Sequence, residues 1–73
     1  MTTVIRLVDE GQDYITFYIE AGLIVRCLPN DKQGWVGTIV RSKELIPGKA
    51  LWIELHNGYD FKLQYLIVSV HTH

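Results

Sequence analysis

β-branched and aromatic residues recur along this chain in short runs separated by turn residues, and no stretch of more than ten residues sustains apolar positions at helical spacing. The pattern predicts strands. Residues 4–8 and 14–19 flank Asp9-Glu10-Gly11-Gln12-Asp13, whose Gly and Asp supply turn conformations, so they read as the two arms of a hairpin. In the second arm Ile15, Phe17 and Ile19 alternate with Tyr14, Thr16 and Tyr18, giving one apolar and one amphipathic face. Gly22 opens a third strand over 23–28. Pro29-Asn30-Asp31-Lys32-Gln33-Gly34 is a polar loop, because Pro29 cannot donate to a sheet ladder. A fourth strand is expected over 35–41, then a loop or helical turn over 42–49, and strands over 50–55, 59–64 and 67–70.

The segment around His56-Asn57-Gly58 fixes a register, since loop length decides which side chains share a face. A two-residue Asn57-Gly58 loop would set Leu51, Ile53 and Leu55 on one face with Asp60, Lys62 and Gln64. A three-residue loop, with Gly58 in the left-handed region, instead aligns Leu55 with Tyr59, Ile53 with Phe61 and Leu51 with Leu63 in one apolar face. This second register is the expected one. It turns Trp52, Glu54, Asp60, Lys62 and Gln64 outward, with Trp52 opposite Lys62 and Glu54 opposite Asp60. Opposed acids are mildly unfavourable, and Glu54 is expected to reach Lys62 diagonally.

Seventy-three residues make one domain with a small core, so oligomerisation is an expected source of added stability. Cys27 is the only cysteine, which excludes an internal disulfide and fits a reducing cytoplasm. Cys27, His56, His71 and His73 lack paired ligand spacing, so no metal site is expected. The apolar runs fall far short of a bilayer span and the N-terminus lacks the pattern of a secretory signal, so neither membrane insertion nor export is expected. The net charge of −1 argues against a dedicated nucleic-acid binder. Its distribution is uneven. Residues 1–20 carry Asp9, Glu10, Asp13 and Glu20 against Arg6, whereas Arg26, Lys32, Arg41, Lys43, Lys49 and Lys62 outnumber the acids in 21–73.

Gly34-Trp35-Val36-Gly37-Thr38-Ile39-Val40, followed by Trp52-Ile53-Glu54-Leu55, a tight turn and a closing strand, resembles an SH3-like barrel of the KOW type over roughly residues 20–73. The resemblance implies a five-stranded barrel over 21–73, carrying the 1–20 hairpin as an N-terminal extension of the same domain. It also implies that Gly37 lets a bent strand pass close to its neighbour, and that RNA or protein partners are candidates. In size and strand spacing the chain is also similar to the SH3-barrel subunits of cyanobacterial photosynthetic complexes, which are docking pieces. Trp35-Val36-Gly37-Thr38-Ile39-Val40 resembles a stretch of the small plasmid-type dihydrofolate reductases, tetramers of SH3-like chains. Where that family has its active Val-Gln-Ile-Tyr stretch this chain has Lys62-Leu63-Gln64-Tyr65, and the family's active lysine falls near Cys27.

Among candidate residues, His71-Thr72-His73 reads as a frayed tail, His56 as a turn residue and Cys27 as a small core hydrophobe. Ser42 and Ser69 lack a nucleophile context, Gly34 and Gly37 form no phosphate loop, and Glu54 with Asp60 reads as surface charge. Trp52 and Lys62 on the polar face, Trp35 at its edge, and Arg41 and Lys43 as steering charges form the expected binding surface. The function expected is a non-catalytic protein-interaction module without a cofactor, self-associating or held in a larger complex. The alternatives are weak RNA or DNA binding through Arg26, Lys32, Arg41, Lys43 and Lys49, and a small oligomeric reductase.

Overall fold

A computed structural model describes residues 1–31, 34–41 and 44–73. Among these the regular elements are the strands β1 (Thr3–Val8), β2 (Tyr14–Glu20), β3 (Leu23–Leu28), β4 (Ile39–Val40), β5 (Ala50–Glu54) and β6 (Asp60–Thr72). Each strand is antiparallel to the next and β6 pairs back onto β1, closing the sheet into a ring. The hairpin arms are staves of that ring: β1 lies between β2 and β6, and β2 lies between β1 and β3. No described helix is long and apolar enough to cross a membrane.

The core fills the inside of the ring. Ile5, Leu7, Ile15, Phe17, Ile19, Ile24, Cys27, Leu51, Ile53, Leu63 and Ile67 are buried, and no polar or charged residue is buried among the described residues. Trp35, Val40, Leu45, Tyr65 and Val70 pack against this cluster. Two single-residue bulges make the closure possible. Between Tyr18↔Arg26 and Ile19↔Ile24, Val25 is the extra residue, so Ile24 and Cys27 both turn inward although three positions apart. Between Arg6↔Ser69 and Leu7↔Ile67, Val68 plays the same part, so Ile67 and Val70 both reach the core. A strict alternation would have sent one member of each pair into water.

The fourth strand is far shorter than expected, because Gly34 and Gly37 hold φ at 86° and 91° and turn the chain where a continuous strand needs extended backbone. The Thr38 amide closes that turn onto the Trp35 carbonyl at 3.1 Å, and the Gly37 amide reaches the Ile24 carbonyl at 2.7 Å. The last two expected strands are one, since Tyr65 and Leu66 carry no signal that would end a strand. The histidine tail is also ordered into the sheet rather than frayed. Thr72 pairs with Thr3, and Thr2 and His73 exchange both backbone hydrogen bonds, at 3.1 and 2.8 Å.

The three-residue loop at 56–58 is present. Trp52 faces Lys62, Ile53 faces Phe61, Glu54 faces Asp60, and the Leu55 amide donates to the Tyr59 carbonyl at 2.8 Å. Gly58 has φ 87°. Beyond Trp52 the register departs from simple alternation, for Ala50 faces Leu66 and only Leu51 stands against residues 63–65 of β6. The apolar face of the hairpin is not all core either. Leu51, Ile53 and Leu63 are buried, but Leu55, Tyr59 and Phe61 stand at the tip past the end of the core, 36%, 71% and 46% exposed.

Candidate interaction surfaces

Alternation along β5 sends Leu51 and Ile53 inward and Trp52 and Glu54 outward, and the loop register then sets Lys62 and Asp60 beside them. Trp52 is 44% exposed on this outer face. β4 supplies the next row: Ile39 faces Glu54, and the Arg41 amide, just past the strand, donates to the Trp52 carbonyl at 2.9 Å. Trp52, Lys62 and Arg41 are therefore brought together.

Arg41 also resolves the opposed acids. Its Nη2 lies 2.9 Å from Glu54 Oε2 and its Nε 3.5 Å from Asp60 Oδ1, so one guanidinium spans both carboxylates. Glu54 is thus held by Arg41, where Lys62 was the expected partner. The same contacts turn Arg41 from a free steering charge into a cross-strand clamp. Lys43, the other expected steering charge, and Lys32 of the nucleic-acid reading lie outside the described residues.

Trp35 does not join this surface. It sits in the turn between Gly34 and Gly37 with its ring 6.0 Å from that of Phe17, tilted by 58°, so it faces the interior from the open end of the ring. There it borders two depressions. One, about 520 Å³, runs between residues 34–39 and 53–56 and includes Ile53 and Leu55. The other, about 360 Å³, is lined by Asp9, Glu10 and Gly11 of the β1–β2 turn, by Trp35, and by Phe61, Leu63, Gln64 and Tyr65 of β6.

No family model, curated protein or solved structure matches the chain.

The chemistry of single residues is bland. Cys27 is buried, its amide donates to Asp31 Oδ1 at 2.6 Å, and burial together with the Asp31 charge pushes its thiol above the ordinary pKa. A raised thiol pKa and an enclosed sulfur both oppose nucleophilic attack. Among the described residues no three of His, Cys, Asp and Glu gather as metal ligands. Gly37 meets no atom within 4 Å of where a Cβ would stand, so its positive φ, rather than the close strand passage implied by the resemblance, calls for glycine.

The pocket beside Trp35 gathers residues that the sequence did not place together: Asp9 and Glu10 of the acidic turn, Phe61 of a strand, and Tyr65 from between two expected strands. Their meeting depends on β6 closing against β1, a pairing between the two ends of the chain that no local pattern announces. The one available signal was Phe61, whose place on the apolar face lies beyond the part of the hairpin a small core covers.

Proposed function

We propose that the chain is a non-catalytic protein-protein interaction module with the architecture of an SH3-like small barrel, working as a homo-oligomer or as a small subunit of a larger complex. The observation that carries this reading is Trp52, nearly half exposed on the outer face. Ile39, Leu66 and Val68 are exposed apolar side chains of the same three strands. An indole left in water is unfavourable relative to one that is covered, and tryptophans of this kind carry a disproportionate share of interface energy. Lys62 stands opposite Trp52 and supplies a charge at the border of the patch.

A protein partner is favoured over nucleic acid. Arg41, one of the cations a nucleic-acid reading needs, is taken up by Glu54 and Asp60, and the chain as a whole is weakly acidic. Molar mass by light scattering over rising concentration, alone and with a co-purified partner, tests the reading. A stoichiometric self-complex or partner complex is expected. A strictly monomeric chain that recovers no stoichiometric partner contradicts it.

A further inference from the structure

The first half of β6 is paired on one side only. β1 ends at Val8, opposite Leu66, so residues 60–65 of β6 run past it and pair with β5 alone. In an antiparallel ladder alternate residues aim their N–H and C=O groups to opposite sides. The Leu55 amide bonds the Tyr59 carbonyl across the hairpin, so the backbone groups of Asp60 and Lys62, in the other phase, point to the open side. On the same stretch of β6, Phe61, Leu63, Gln64 and Tyr65 line the pocket of about 360 Å³ beside the β1–β2 turn.

The walls of the pocket are of two kinds. Phe61 and Tyr65 lie on the inward-facing phase of β6, and Trp35 approaches from the turn between Gly34 and Gly37. Asp9 and Glu10 come from the β1–β2 turn. The Asp9 side chain is held by the Asp13 amide on Oδ1 at 2.9 Å, which fixes its carboxylate in place. Neither Asp9 nor Glu10 forms an ion pair among the described residues. Arg6 stacks its guanidinium 4.3 Å from the Tyr14 ring, while Lys62 belongs to the outward phase of β6 and shares only a neighbouring depression with Asp9 and Glu10. Aromatic faces and carboxylates together favour a cation, by ring quadrupole and by charge, and disfavour phosphate.

We propose that this pocket binds an extended basic segment of a partner protein, which adds as a strand to the free edge of β6 and seats an arginine or lysine side chain between the rings of Trp35, Phe61 and Tyr65 and the carboxylates of Asp9 and Glu10. Strand addition supplies backbone hydrogen bonds, and the side-chain pocket supplies the selectivity. The inference rests on the reading of the chain as an interaction module, yet it uses a different surface from Trp52.

The test uses a short fluorescein-labelled peptide that alternates arginine with valine and serine, beside the same peptide with citrulline in place of arginine. Binding is read by anisotropy, and its location by amide and indole chemical shifts of the labelled full chain. The arginine peptide is expected to bind, to weaken with salt, and to shift Glu10, Gly11, Trp35 and Phe61 to Tyr65. Glu10→Gln and Phe61→Leu, both at exposed positions, should each weaken it by about three- to tenfold. Equal binding of the citrulline peptide overturns the proposal, as do shifts confined to other surfaces or unchanged affinity in Phe61→Leu, which marks a merely acidic patch. Concentration-dependent shifts in the pocket without peptide overturn it in favour of a second copy of the chain. A negative result removes the pocket alone, because the Trp52 surface is read by association mass and by its own variant.

Discussion

Gly58 occupies the tip of the β5–β6 hairpin at φ 87°, and nothing lies within 4 Å of where its Cβ would stand. A substitution there meets no clash, so its cost is that of the left-handed backbone alone. Gly58→Ala should lower the unfolding free energy by on the order of 1 kcal/mol in a urea melt. Asn57 contributes less: its Oδ1 accepts the Tyr59 amide at 3.2 Å in an exposed turn, and Asn57→Ala should cost a smaller amount. Cys27 makes a second prediction at this scale. Its folded pKa lies above the unfolded one, so the neutral thiol favours the fold below the unfolded pKa, and that contribution is lost as pH rises through the folded pKa. The native protein should react slowly with a disulfide reagent at mildly alkaline pH and quickly once urea opens it; fast reaction of the native chain would contradict the buried sulfur.

Among the strands, the seam between β3 and β4 is the thinnest in the ring. A single residue pair, Leu23↔Ile39, joins them, with the Ile24 amide on the Thr38 carbonyl and the Val40 amide on the Gly22 carbonyl at its ends. Hydrogen exchange should therefore be faster at Ile24 and Val40 than at Ile5 and Phe17, which sit in long ladders. Equal protection would mean that the ring opens only as a whole. Arg41 tightens the next junction. Arg41→Gln leaves Glu54 opposite Asp60 without their shared cation, and should cost about 0.3–1 kcal/mol in low salt and less in high salt, since the Arg41 and Asp60 side chains are about half exposed. The positions of β1, β2, β3 and β5 and the hairpin register were legible in the sequence because alternation and a Gly-containing turn are local signals. The bulges at Val25 and Val68 were not. Each breaks the alternation that locates strands, and its purpose, to bring Ile24 with Cys27 and Ile67 with Val70 into one core, exists only once the ring is closed.

At the scale of the molecule, one small apolar core is wrapped by a sheet whose two chain ends meet, as Thr2 and His73 bond each other reciprocally. A circular permutant that joins those ends by a short glycine linker and opens at the Asn57–Gly58 turn should fold with a similar circular dichroism spectrum, since the joined ends are already neighbours. The outer surface is where this closed form leaves apolar side chains without the core to cover them. Of the expected binding residues, Trp52 and Lys62 were brought to one face by alternation and the hairpin register, and Arg41 by its amide on the Trp52 carbonyl, whereas Trp35 went to the ring's open end because two left-handed glycines turned its segment out of the sheet.

The most direct measurement is Trp52→Ala followed in parallel by urea denaturation and by association. The account predicts a midpoint close to wild type, because a half-exposed outward side chain leaves no cavity, together with an affinity for its own copy or its partner reduced by about thirtyfold or more. A variant that loses several kcal/mol of stability would make Trp52 a core residue, and one that folds and associates like wild type would remove the outer face as the binding surface.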